Sequence, residues 1–193
     1  MAAASIEPNF SKRITLADGR AVTLRFMTAS DKDEVLAFAK KLTEDDLLYL
    51  RTDITDPAIV ATWVENIKNG HTVSLLAEAD GNIVGYASVH REPAQWTRRV
   101  GEMRVNVLPQ YRGSGLGRAL TAQAFDVGRG LGLSKLAGMM TTDQRGARTA
   151  FERLGFTVEA MLTGFVEDRR GRSRDVLVLS HDLTGFTDQA LNK

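Results

Sequence analysis

Val105-Asn106-Val107-Leu108-Pro109-Gln110-Tyr111-Arg112-Gly113-Ser114-Gly115-Leu116-Gly117-Arg118-Ala119-Leu120 reads as a strand that stops at a proline, a glycine-rich turn bearing arginine, and a helix that begins at once. Such a layout directs unpaired backbone N–H groups and a helix N-terminus at one spot, which suits a phosphate or pyrophosphate. The glycines let backbone come close to a ligand and adopt turn conformations that a Cβ forbids.

Spacing narrows the choice of phosphate ligand. The phosphate loop of nucleoside triphosphatases needs Lys-Ser/Thr after its last glycine, and Gly117 is followed by Arg118-Ala119. The dinucleotide fingerprint needs Gly-x-Gly-x-x-Gly, whereas Gly113, Gly115 and Gly117 alternate. What remains is Arg-x-x-Gly-x-Gly, from Arg112 through Gly115 to Gly117. An ordinary glycine-rich turn before a surface helix would read the same way, so the rest of the chain must decide.

The chain has 193 residues, 43% hydrophobic and 25% charged, with a net charge of +1. That is enough for one domain with a full core, and it carries no global signal for nucleic acid or membrane. There are no cysteines, which excludes a disulfide framework, a thiolate metal site and a cysteine nucleophile. The start, Met1-Ala2-Ala3-Ala4-Ser5-Ile6-Glu7-Pro8, lacks the basic and apolar segments of a secretory signal. No stretch approaches the roughly 18 apolar residues of a membrane helix. A cytoplasmic location is expected.

Residues 1–10 read as a lead-in, 11–183 as a single domain and 184–193 as a C-terminal tail. Ile14-Thr15-Leu16 and Ala21 to Phe26 flank Asp18-Gly19, a hairpin turn pair. Ser30 and Asp33 resemble a capping box ahead of Val35, Phe38, Ala39 and Leu42 at helical spacing. A second helical piece spans Glu44 to Arg51. A third opens at Asp56-Pro57 and ends at Asn69-Gly70. Strands follow at Thr72–Ala79, Ile83–His90 and Arg99–Val107, with Pro93 and Trp96 in the last connection. After the glycine loop a helix offers Leu116, Leu120, Ala124, Val127 and Leu131 to a core. Lys135–Thr141 reads as a strand, and Ala147, Ala150, Phe151 and Leu154 as a helical face ending at Gly155. Val158–Asp168 and Ser173–His181 form a closing hairpin.

A second landmark is Ala147-x-x-Ala150-Phe151-Glu152-Arg153-Leu154-Gly155-Phe156. Together with Arg112-x-x-Gly115-x-Gly117 after a Val-x-Pro strand end, it resembles the GNAT superfamily of acetyl-CoA-dependent N-acetyltransferases. The element order is similar along nearly the whole chain. The resemblance implies a mixed α/β fold with a central, mainly antiparallel sheet of about seven strands, splayed at its centre, and about four helices on its faces. It also implies acetyl-CoA as cosubstrate without a metal. The acceptor is an amine, either on a small molecule or at a protein lysine or N-terminus. No nucleic-acid or membrane partner is implied, and a homodimer stays open. The front end, from Asp18-Gly19 to Arg25 and on through Leu42-Thr43 and Arg51, is more loosely similar to bacterial protein-lysine acetyltransferases.

By that resemblance the pyrophosphate falls to N–H groups from Arg112 through Gly113, Ser114, Gly115, Leu116 and Gly117 to Arg118, the two arginines adding charge. In the family the strand before the loop carries a bulge and parts from the next strand. The backbone of Val105 and Val107 would pair with the pantetheine arm, and an N–H would stabilise the tetrahedral intermediate. Both valines also suit the core of a central strand. The amine must be neutral to attack, so a base helps. Glu102, Arg104 and Asn106 alternate onto one strand face, a polar face that suggests a wet cleft. Glu102 is therefore the candidate base; a structural Glu102–Arg104 ion pair is the alternative. Where many family members have a tyrosine general acid this chain has Phe151, and where many have asparagine it has Gln144. The acid role is empty or moved, although a thiol is itself a fair leaving group. Tyr111 is a poor substitute, and sequence does not place Tyr49 or Tyr86. A non-catalytic acyl-CoA sensor on the same fold is thus the rival reading.

His71, His90 and His181 lack ligand spacing and read as structural. Arg169-Arg170-Gly171-Arg172-Ser173-Arg174 reads as a solvated basic turn or a dock for an acidic protein or nucleic acid. Glu44-Asp45-Asp46 reads as the negative start of a helix or a lure for a cationic amine.

Overall fold

The computed structural model describes residues 10–48, 50, 52–92, 94–168 and 170–183. Tyr49, Arg51, Pro93, Arg169 and the tail from 184 lie outside the described residues.

The expected hairpin forms as β1 (Ser11–Thr15) and β2 (Ala21–Phe26), turning through Asp18-Gly19. The capping box expected at Ser30 and Asp33 lies two residues earlier, at Thr28 and Asp31, and opens a 3-10 turn (Ala29–Asp31) that leads into α1 (Lys32–Ala39). Asp31, not Asp33, is the capping acid: it accepts from the Thr28 N–H at 2.7 Å and the Thr28 hydroxyl at 2.9 Å. The reason is Arg25 of β2, whose guanidinium grips Asp31 at 2.7 and 3.0 Å and also reaches Glu78 at 3.0 Å. Burial by itself would raise the pKa of Asp31, but Arg25 and Thr28 outweigh it and hold the carboxyl below its ordinary value.

Next come α2 (Glu44–Leu48) and α3 (Pro57–Lys68). Asp56 caps α3 by accepting the Ala58 N–H at 2.8 Å, with Pro57 in the first turn. The remaining elements are β3 (Thr72–Ala79), β4 (Asn82–Arg91), β5 (Val100–Val107), α4 (Leu116–Gly130), β6 (Lys135–Thr141), α5 (Arg145–Glu152), β7 (Thr157–Glu167) and β8 (Ser173–Asp182).

One 8-stranded sheet results, in the order β1-β2-β3-β4-β5-β6-β8-β7. The segments read from the sequence account for all eight described strands, one more than the count of about seven that the resemblance implied. Five α-helices stand among the described residues where about four were expected, α2 being a short helix of its own. Every pairing is antiparallel except β5 with β6.

The two faces are covered differently. Tyr86 of β4 packs against Phe38 of α1 and Trp63 of α3, with ring centroids 5.8 and 5.0 Å away. Its neighbour Gly85 points the other way, where a Cβ would meet Leu120 of α4 at 3.1 Å. So α1 and α3 cover one face and α4 the other. Leu116, Leu120, Ala124 and Val127 of α4 are all buried, at the spacing of one helix face. Leu131, expected with them, is half-buried at the helix end.

The closing hairpin gives its arginines a local task. The side chain of Asp168 is fully withdrawn from solvent and accepts the Arg170 and Arg172 N–H groups at 2.9 and 3.0 Å. Arg172 and Arg174 add their guanidiniums at 2.9 and 3.1 Å. Burial pushes the Asp168 pKa up, but these donors overcome it and bring it down to about 2. A depressed folded pKa means stability that is present above the unfolded value of 3.8 and lost as pH falls through about 2. The midpoint of thermal unfolding should therefore fall between those two pH values more steeply in the native chain than in Asp168→Asn. Parallel curves in that window would remove Asp168 from the acid response.

Candidate active site

The centre of the sheet opens where β5 and β6 part. They pair only at Val100–Glu102 with Lys135–Ala137. Beyond that, β5 stays with β4 as far as Val107, and β6 stays with β8 as far as Thr141. The β4–β5 register runs from Gly85↔Val107 to Arg91↔Gly101 without a shift. The bulge expected in β5 is thus absent, and the opening comes from divergence alone.

A cavity of about 690 Å³ occupies this opening, a volume usual for small-molecule sites. Met139, Met140 and Thr141 of β6, with Gln144 just ahead of α5 and Phe151 within it, line one side. Met103 and Val105 of β5 line the gap. On the face covered by α3, the walls are Trp63, Tyr86, Ser88, His90, Glu102, Arg104 and Asn106. Glu102, Arg104 and Asn106 share one face, as strand alternation required, and each is half-buried.

The alternative offered for Glu102, an ion pair with Arg104, is present, and Glu102 also borders the cavity. It accepts from Arg104 Nε at 2.9 Å. Sequence reading missed the other half of this polar wall. His90 meets the Thr72 hydroxyl through Nδ1 at 3.1 Å and the Ser88 hydroxyl through Nε2 at 2.8 Å. Ser88 and His90 sit opposite Arg104 and Glu102 in the register. The signal was the same period of two: Tyr86, Ser88 and His90 alternate with Ala87 and Val89. Burial raises the pKa of the Tyr86 phenol, while Arg104 and Asn106 pull the other way.

At the far end of β5, Pro109 closes the strand and Tyr111 N–H returns to the Leu108 carbonyl at 2.9 Å. Arg112 N–H is used there too, donating to the Pro109 carbonyl at 3.1 Å. The run of N–H groups without an acceptor among the described residues therefore starts at Gly113 and continues to Arg118. Gly113 and Gly115 have φ of 72° and 91°, and nothing lies within 4 Å of where their Cβ atoms would be. Gly117 is nearly as open, with Val107 at 3.9 Å. Orphan donors at the start of a 15-residue helix, bordering space that side chains leave empty, fit a pyrophosphate.

The two loop arginines differ. Arg118 is exposed on the first turn of α4. Arg112 turns back, donating through Nε to the Val107 carbonyl at 3.2 Å and through Nη2 to Asp46 at 2.5 Å. Asp46 also accepts the Thr43 N–H at 3.1 Å, so the acid caps α2 and ties it to the loop. Among the described residues no group of three or more histidines and acids could hold a metal. No described helix is long and apolar enough to cross a membrane.

A model of the acetyltransferase (GNAT) family matches residues 38–156, which contain the loop, the opening and α5. The chain belongs to the GNAT acetyltransferase family. It is similar to the mycothiol acetyltransferase of Streptomyces griseus, 40% identical over 93 residues, which cover 42% of this chain. The match spans only 26% of that relative's length. A ribosomal-protein-alanine N-acetyltransferase from Brucella melitensis superposes with a TM-score of 0.75 at 26% identity, covering 83% of this chain and 99% of that one. A putative acetyltransferase from Salmonella typhimurium, solved with acetyl-CoA, gives 0.74 at 24% identity over 84% and 94% of the two chains.

Against the GNAT pattern, the two departures have clear surroundings. Gln144 turns its Oε1 to the Thr141 N–H at 3.1 Å, leaving its NH₂ group for other contacts. Phe151 is buried, stacks edge-on with Phe156 at 4.9 Å and lies over Gly138 of β6. Tyr111 lies away from the cavity lining, under the Arg20 guanidinium at 3.9 Å. His181 is elsewhere as well, its Nδ1 on the Gly155 carbonyl at 2.8 Å.

A Cβ on Gly138 would sit 2.5 Å from Phe151 Cε1. Gly138→Ala should cost about 1–3 kcal/mol in urea unfolding, as overpacking does. Phe151→Leu in the same chain should cost less than the sum of the two single changes. Strict additivity would show that the two do not share one space.

Proposed function

We propose that this chain transfers an acetyl group from acetyl-CoA to a primary amine by direct attack within a ternary complex. The observation that carries the reading is continuity. The unpaired N–H groups of Gly113 to Arg118 lie at the end of the same strand whose middle lines the parting of the sheet. A pyrophosphate on the loop lets an extended arm run along Val107 and Val105 into the cavity. Acetyl-CoA supplies an activated acyl group that an amine can take without metal assistance.

The residues of the chain have separate tasks in this reading. The loop N–H groups bind, with Arg118 adding charge. Val105 and Val107 offer backbone, and Gln144 and Phe151 form the opposite wall. Glu102 takes the proton of the incoming amine, and Arg104 holds its carboxylate in place. Phe151 has no proton to give, so the thiol leaves unaided by α5. That one feature also favours the second reading, a protein that binds acyl-CoA and signals its presence without turnover.

Release of CoA thiol from acetyl-CoA over pooled amino acids, polyamines, aminoglycosides and lysine peptides separates the two. Release well above the hydrolysis blank in one pool supports transfer. Tight acetyl-CoA binding with silence in every pool supports the sensor. In the active pool, Glu102→Gln should lower kcat at neutral pH by about 10²- to 10⁴-fold, the usual range for a general base. Unchanged turnover would remove Glu102 from the chemistry.

A further inference from the structure

We infer that the acceptor carries a carboxylate beside its amine, and that Arg104 receives that carboxylate; this rests on the acetyl-transfer reading above. Arg104 stands on β5 between Glu102 and Asn106, on the face that lines the cavity. Its side chain retains only 27% of its exposure. One donor, Nε, is held by Glu102 at 2.9 Å, and no described residue accepts from its two Nη groups. A guanidinium fork withdrawn from water and left open is matched by a planar carboxylate, which takes two parallel hydrogen bonds.

The other charges of the cavity are committed or peripheral. Asp46 is matched by Arg112. Arg91, one residue past His90, is anchored by Nη2 on the Gly70 carbonyl, and its buried Nε has no partner among the described residues. Glu92 and Glu167 are exposed at the rim. His90 is bonded on both ring nitrogens by Thr72 and Ser88. The charged donors left open beside Glu102 on this face of β5 are therefore the two Nη groups of Arg104.

The placement of the pair then selects a class of acceptor. Residues two apart on a strand are separated by about 6.6 Å along it, yet the charged ends of Glu102 and Arg104 touch. An amine at Glu102 and an anion at Arg104 must lie a few bonds apart in one molecule. Free α-amino acids have that arrangement. Polyamines, aminoglycosides, protein N-termini and lysine side chains do not. The transfer forms one amide C–N bond and breaks one thioester C–S bond. The amine proton passes to Glu102 and ends on the released thiol, so no further reactant is needed.

The test compares amino acids with their own carboxamides as acceptors, following CoA-thiol release. The carboxamide amine is less basic and more available for attack, which biases the comparison against the proposal. The expected result is a kcat/KM about tenfold or more higher for the acid, lying mainly in KM, as suits a charge-assisted hydrogen bond. Arg104→Gln should bring the ratio of acid to carboxamide close to one, whatever level both reach, and Arg104→Lys should keep part of the preference. Equal use of acid and carboxamide by the native chain would overturn the inference, as would an Arg104→Lys variant that lowers both equally. Turnover confined to polyamines or peptides would overturn it while leaving acetyl transfer standing. Silence toward every amine, with acetyl-CoA bound, would remove both.

Discussion

Everything in this molecule follows from two strands that begin as partners and then separate. β5 and β6 are the one parallel pair in the sheet, and they hold together only at Val100–Glu102. Each is then kept by a different neighbour, β5 by β4 and β6 by β8. Among the described residues β5 has no strand partner on its inner side beyond Glu102. Backbone polar groups withdrawn from water need partners, so the gap favours an extended ligand that can supply them. The same strand feeds the glycine loop, whose N–H groups from Gly113 to Arg118 have no acceptor among the described residues. Two unsatisfied stretches of one chain segment thus point to one long ligand.

The opening also gives the site two sides with different chemistry. Toward α4 and α5 the walls are apolar and close-packed, with Phe151 pressed over Gly138. Toward α3 the walls are polar, with hydroxyls bracketing His90 and the Glu102–Arg104 pair beside them. Asp46 joins the two ends of the site, since it caps α2 and grips the Arg112 of the loop. The acidic run that sequence read as a helix start is that, and it is also the tie between α2 and the loop.

Much of the fold was legible because the signals are local. Asp18-Gly19, Asp56-Pro57 and Asn69-Gly70 mark turns and helix ends through the backbone geometry those residues favour. The core face of α4 was legible because its period is regular. What was not legible depends on distant partners. The capping box ahead of α1 moved to Thr28 and Asp31, where Arg25 claims the acid from a neighbouring strand. The basic turn stays exposed, but a buried Asp168 collects donors from Arg170, Arg172 and Arg174. The polar wall of β4 was hidden because Ser88 and His90 look ordinary until β5 is laid beside them. The absent bulge could not be read at all, since strand divergence leaves no mark on composition.

The most direct measurement is amide hydrogen exchange with and without saturating acetyl-CoA. Slowed exchange in two segments, Val105–Val107 and Gly113–Arg118, is the expected result, because a ligand lying from the loop into the gap covers both. Protection confined to the loop would leave the opening unused by the arm. Protection in neither segment, with binding saturated, would contradict the placement of the site in the parting of β5 and β6.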